Sequence, residues 1–288
     1  MKHAFLIMAH ANFAILKKLV MLLDDSRNDI YIHIDKKAIE KPSLCCEKAR
    51  LYILDERMDV RWATIKQIEL EFLMFHTAYQ KGPYQYYHLL SGVDLPIKTN
   101  NYIHRFFEKY DGYEFVGFVD TAEACRHLFK VQLFHFFSSN LKNKQSLSAK
   151  LHQKIMLWQF NHHLFFRNKC IDFQKGANWV SVTNDFVAYL LSKRKETLKK
   201  YRFTYGADEI FLQTILWNSS FRSHIYKVED EYDSCMRKIC WNRGNPYIWT
   251  EADYDELMSS DKLFARKFDE SHMEIVNKIV EKIRMGGY

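Results

Sequence analysis

Glycine and proline are scarce, 9 and 4 among 288 residues. That excludes collagen-like, linker-rich and disordered chains. Cysteine is sparse as well: Cys45, Cys46, Cys125, Cys170, Cys235 and Cys240 form no Cys-x-x-Cys pair, so a zinc ribbon is excluded. Cys45 and Cys46 are adjacent, which suits no ordinary disulfide framework, and reduced thiols in a cytosolic protein are the simplest reading. A Cys235–Cys240 bridge is conceivable only in an oxidising compartment. No stretch approaches the roughly 18–20 apolar residues of a membrane span. The run from Ala4 to Ala9 stops at His10, too short for the core of a secretory signal. Neither Gly-x-x-x-x-Gly-Lys nor Gly-x-Gly-x-x-Gly occurs, which disfavours ATP hydrolysis and dinucleotide redox chemistry. No Asp-x-Asp closes a strand; Asp59, Asp94 and Asp120 each stand without that partner. His162 and His163, being adjacent, point about 100° apart on a helix and are poor co-ligands. No metal motif and no cofactor-binding loop is apparent.

What is present is apolar and basic. Apolar residues make up 48% and aromatics 16%, ample for one large core. The length allows one large domain or two small ones, and we expect a single domain over residues 1–288. The aromatics suit sugar or base stacking, or simply a core of large side chains. A net charge of +7 suits phosphates, nucleotides, nucleic acid or an anionic membrane surface. The cations are spread along the chain; the densest run, Ser192 to Lys200, reads as a solvated helix end.

Continuous apolar runs place buried strands at 4–9, 30–34 and 51–54, with a helix between the first two. This is the start of a βαβ unit and argues for an α/β fold. A long helix is expected over 64–80, a strand over 86–90, a helix over 101–110 and a strand over 113–119. Residues 120–170 have weak periodicity and read as a helical insertion. Further on come a strand over 178–182, a helix over 185–191 capped by Thr183 or Asn184, and a helix over 207–216 entered through Gly206. A loop over 242–246 and a helix near 269–285 close the chain.

One stretch stands out. The strand at Tyr86–Leu90 stops abruptly at Ser91-Gly92-Val93-Asp94-Leu95-Pro96, where the proline forbids a helix. In α/β proteins such strand ends carry ligand-contacting loops. These words closely resemble the Leu-x-Ser-Gly-x-Asp-x-Pro motif of the core-2/I-branching glycosyltransferases. The resemblance extends in family order across residues 4–269. It takes in His10, His33-Ile34-Asp35-Lys36-Lys37, Val60-Arg61-Trp62, Gly176-Ala177-Asn178-Trp179-Val180-Ser181 and Ala207-Asp208-Glu209-Ile210-Phe211. Arg237-Lys238-Ile239-Cys240 and Leu263-Phe264-Ala265-Arg266-Lys267-Phe268 complete it.

The resemblance implies a GT-A-type fold: a Rossmann-like central mixed, mostly parallel sheet flanked by helices. It places a nucleotide-sugar-binding half at about 1–110 and an acceptor-binding and catalytic half at 111–288. It implies an inverting transfer without a metal, from a UDP-sugar to a glycan hydroxyl. UDP-N-acetylglucosamine is the first choice of donor; xylose, glucuronic acid or glucose donors are alternatives. Glu209 is then the general base, although Asp208 and Glu209 also suit a helix N-terminus simply by charge. Arg237 and Lys267 would stabilise the departing diphosphate, with Arg266 a competitor for the role. Met8, His10, Asp35, Arg61 and Trp62 fall to the donor. Glu114 and Trp179 fall to the acceptor, Trp179 being equally suited to a core. Ser91 and Asp94 are expected to form a rigid turn, and Asp208 to orient the base's loop. The implied partners are a nucleotide sugar and a glycan or lipid-linked glycan, with no nucleic acid. The chain lacks the anchor and bridging cysteines of animal members and resembles the shorter bacterial branch. A cytoplasmic enzyme, with peripheral contact at the membrane's inner face, is expected. The competing class is a basic nucleic-acid or membrane-surface binding protein that has lost catalysis.

Overall fold

Three strands of nearly continuous apolar sequence form the centre because both their faces are covered. They are β1 (His3–Ala9), β2 (Asn28–Ile34) and β4 (Tyr86–Ser91); β3 (Arg50–Ile53) lies outside β2 and β6 (Ser181–Thr183) outside β4. The order is β3-β2-β1-β4-β6, parallel except for the antiparallel β4–β6 pair. The expected α/β architecture, a mostly parallel mixed sheet flanked by helices, is thus present. The computed structural model describes residues 2–136, 145–163, 167–168, 171–228 and 230–286.

Alternation along the strands sorts the core into two layers. Phe5, Ile7 and Ala9 of β1 face α1 (Phe13–Leu22), whereas Ala4 and Leu6 face α2 (Ile65–Tyr79). A second sheet packs in the first layer. It joins β5 (Asp94–Pro96), β7 (Arg237–Ile239) and β8 (Phe264–Arg266) in the order β5-β8-β7. The remaining helices are α3 (Asn100–Lys109), α4 (Thr121–Arg126), α5 (Phe129–Gln132), α6 (Leu147–His162), α7 (Asn184–Ser192), α8 (Arg194–Tyr201), α9 (Phe211–Trp217), α10 (Glu231–Cys235), α11 (Tyr254–Ser259) and α12 (Met273–Arg284).

Several expectations need correction. The strand expected over 113–119 is reduced to two bridges, Glu114 with Ile225 and Phe115 with Ser181. The backbone there is crossed rather than laddered: a Cβ on Gly117 would lie 2.5 Å from the Glu231 carbonyl oxygen. The helix expected over 207–216 begins as a 3-10 turn at Ala207–Glu209 and becomes α9 only after Ile210. The insertion contains α4, α5 and α6; residues 137–144, 164–166 and 169–170 of it lie outside the described residues. Cys235 and Cys240 are free thiols, in line with the simplest reading of the cysteines. The second sheet was not anticipated at all. It brings Phe264–Arg266 back against Asp94–Pro96. Among the described residues no helix is long and apolar enough to cross a membrane.

Candidate active site

The strand order reverses between β1 and β4, and the crevice at their C-terminal ends is where open α/β sheets bind ligands. Gly92 follows β4 there because nothing larger fits: a Cβ would lie 2.9 Å from Cβ of Ala9. Its N–H donates to Met8 O at 2.9 Å, which ties the two strand ends together. Asp94, 1% exposed, accepts from the Ser91 N–H at 2.8 Å and from Arg266 Nη1 at 2.8 Å. Burial pushes its pKa up, with Arg266 opposing. The expected rigid turn therefore also carries a buried ion pair, between neighbouring strands β5 and β8 of the second sheet. Arg266 then lies over the half-buried Trp179 ring, 4.3 Å from its centroid.

Asp35 ends β2 and is 5% exposed. Its carboxylate accepts from the Lys37 N–H at 2.8 Å and the Val60 N–H at 3.1 Å, leaving lone pairs for a ligand. Arg57, which no motif in the sequence marks, donates to the carbonyls of Asp35 and Ala38 at 2.7 Å each. His33 accepts from the Met58 N–H at 2.9 Å, and burial lowers its pKa to about 4, so it stays neutral. The 57–60 loop is thus pinned to the end of β2. Half-buried Met8 and the following His10 line this edge. Partial burial lowers the His10 pKa, with Asp35 opposing and Lys267, Lys37 and Arg266 reinforcing. Lys267 makes no ion pair among the described residues.

The same loop continues to the candidate base. Arg61 approaches Asp59 at 3.4 Å, and Trp62, 57% exposed, meets the Tyr205 ring edge-on at 5.7 Å. Ala63 accepts from the Gly206 N–H at 2.9 Å. Gly206 holds a φ of 57°, a conformation glycine adopts without strain. Gln67 accepts from the Ala63 N–H and donates to Asp208 Oδ2 at 2.8 Å. One side chain therefore joins the Trp62 turn to the Glu209 turn.

Glu209 is the accessible carboxylate there, its side chain 38% exposed. Lys175 Nζ lies 3.5 Å from it and Lys130 Nζ 4.0 Å, placing its charge beside two positive ones. Both lysines come from segments without periodicity, and no sequence signal marked them. Its backbone carbonyl accepts from the Gly176 N–H at 3.0 Å, and a Cβ on Gly176 would strike Gly117 O at 1.8 Å.

Asp208 points inward. Burial first, and Glu209 second, push its pKa up to about 7. Below about pH 4 the folded and unfolded chains both hold this proton. As pH rises further the unfolded chain releases it first, so its stability contribution is lost through about pH 7. Asp208→Asn should remove that slope. The wild-type urea midpoint is expected to fall relative to the variant's between pH 4 and 7, and parallel curves would refute the assignment.

Two expected site residues lie inside the fold. Arg237, expected to grip phosphate, is 2% exposed. Its guanidinium donates to Cys235 O at 2.7 Å, Val180 O at 3.0 Å and Ser181 Oγ at 3.1 Å, and lies over the Phe264 ring. Glu114, expected at the acceptor, is 1% exposed and accepts from the Thr183 N–H at 2.9 Å and from Thr183 Oγ1. Burial raises its pKa to about 7. Both side chains hold the β6 region from inside. Among the described residues no three His, Cys, Asp or Glu side chains gather as a metal site would require. Asp253-Tyr254-Asp255 is an Asp-x-Asp by sequence, but Asp253 is taken by Arg243 and by the cap on Thr250. A cavity of about 1420 Å³ between α1 and α3 is lined by none of the residues above.

A family model described as "Branch: Core-2/I-Branching enzyme" matches residues 3–252. The chain belongs to the core-2/I-branching enzyme family. It is accordingly a glycosyltransferase, whose family implies a nucleotide-sugar donor and a glycan acceptor. No curated protein matches this branching-enzyme chain. Among solved structures it is similar to mouse xyloside xylosyltransferase 1 in its apo form. The two are 12% identical, with 92% of this chain and 96% of that one covered, at a TM-score of 0.39.

Proposed function

We propose that the chain is a GT-A-type inverting transferase. It would move N-acetylglucosamine from UDP-N-acetylglucosamine to a glycan hydroxyl without a metal. The observation that carries this reading is the continuous string from Asp35 through Val60 and Ala63 to the Glu209 turn. It ties a nucleotide-suited strand end to an accessible carboxylate. Glu209 takes the proton of the attacking hydroxyl. The hydroxyl oxygen bonds to the anomeric carbon on the face opposite the diphosphate, and the bond to the β-phosphate oxygen breaks. Asp35 and His10 face the nucleotide, with Arg61 and Trp62 above it. Lys267 supplies positive charge to the leaving diphosphate. Arg237 serves by fixing Val180 and Ser181, and adds only its field. Trp179 offers a face to the acceptor. The donor half comprises residues 1–110 completed by β8. The enzyme works in the cytoplasm.

Titration calorimetry against a panel of UDP-sugars, with other nucleotide sugars as controls, tests the donor. Tight binding of UDP-N-acetylglucosamine is expected; binding of none of the panel would remove the reading. Undiminished turnover in EDTA is expected. Lys267→Ala should lower kcat about tenfold, since one solvent-accessible ammonium is partly screened. UDP affinity should fall with it in calorimetry, and an unchanged kcat would exclude Lys267 from the diphosphate.

A further inference from the structure

α6 is amphipathic the wrong way round. Its buried residues are Ala149, His152 and Gln159. The inner polar groups are satisfied: Gln159 exchanges two 2.8 Å hydrogen bonds with the Phe134 backbone, and His152 Nδ1 bonds Phe136 O at 2.8 Å. Leu147, Leu151, Leu157 and Trp158 face outward, at 82%, 41%, 57% and 47% exposure. With Lys150 and Lys154 they recur at three- and four-residue spacing, which confines them to an arc of about 120°. A helix that buries His152 and Gln159 while leaving Leu147, Leu151, Leu157 and Trp158 exposed beside lysines carries a face suited to an outer partner.

Charge says which partner. From Ala124 to Ile171 the chain carries no Asp or Glu but eight Lys or Arg. Leucine and tryptophan mixed with lysine, without acids, is the composition of helices that lie in the plane of an anionic interface. We infer that the outward face of α6 docks on an anionic phospholipid bilayer, so that the acceptor is a lipid-linked glycan presented at that surface. The acceptor clause rests on the transferase reading above; the docking itself does not.

The placement suits this task. α6 rests on residues 134–136, and His135 N–H donates to Phe203 O at 2.9 Å. Tyr205 N–H donates to Lys130 O at 3.0 Å, and Lys130 flanks Glu209. The bilayer-facing helix is thus a short chain of contacts away from the base.

Co-sedimentation of the full chain with vesicles tests the docking. Phosphatidylcholine vesicles containing phosphatidylglycerol should bind it, and phosphatidylcholine alone should bind it at least about tenfold more weakly. Leu157→Glu with Trp158→Glu should abolish binding. Lys150→Glu with Lys154→Glu, which removes no packing, should weaken it about tenfold or more. Unchanged thermal melting and UDP binding establish that both variants are folded. Glu209→Gln should bind vesicles like wild type, so a failed transferase reading leaves this result standing. Equal vesicle binding by wild type and both double variants would overturn the docking. So would a wild-type dimer that ignores vesicles and becomes monomeric in the Leu157/Trp158 variant, because a second copy would then cover the face.

Discussion

Glu209→Gln is expected to lower transfer about 10³-fold while UDP-sugar affinity changes less than about threefold. The substitution keeps shape and removes the proton acceptor, and positioned general bases contribute roughly 10²–10⁴-fold. The split between kcat and affinity follows from place. Glu209 sits between Lys175 and Lys130, whereas the nucleotide-suited groups sit at the ends of β1 and β2. Single-turnover transfer, with calorimetry of UDP, measures both halves. Near-wild-type turnover would falsify the assignment. Because Asp208 is turned inward onto Gln67, it is not placed to substitute for the lost carboxylate.

Asp94→Ala is expected to be the most damaging single change to stability. Its carboxylate is buried, pairs with Arg266 at 2.8 Å and also satisfies the Ser91 N–H. Removing one partner of such a pair strands the other charge in the interior and typically costs about 3–5 kcal/mol. The unfolding midpoint in urea reads the loss directly. Arg266→Met added to Asp94→Ala should recover part of it, because the stranded guanidinium disappears. A double variant less stable than Asp94→Ala would show instead that Arg266 contributes mainly through its packing on Trp179.

The parallel strands were legible because burial on both faces writes an unbroken apolar run, as in Ile30–Ile34. Helix starts were legible too: Thr183 accepts from the Phe186 N–H as a cap, at 3.2 Å. The second sheet was not legible. Its strands are three residues each, and Asp94-Leu95-Pro96 and Arg237-Lys238-Ile239 carry charge or proline where a strand pattern wants alternation. The site divides the same way. Glu209 and the Asp35 turn stood out as words at element ends. The inward placement of Arg237 and Glu114 was not legible, because a charged letter does not say whether backbone and hydroxyl partners await it inside. Gln67 joins two turns far apart in sequence, and nothing in its own neighbourhood marks it.

The closing strand pair has a consequence for biosynthesis. Asp94 and Arg266 are separated by 172 positions. At about 5–20 residues per second, a ribosome needs roughly ten to thirty seconds to supply the partner. During that interval β5 has no neighbour and the Asp94 carboxylate has no guanidinium. The nascent chain can pair β1 with β2 and β4 early, since these lie within its first ninety-one residues. The floor of the crevice, however, forms only when Phe264–Arg266 leaves the exit tunnel. An arrested nascent chain ending shortly before Phe264 would therefore present an assembled parallel sheet beside an unpaired β5, and is a natural substrate for a holding chaperone.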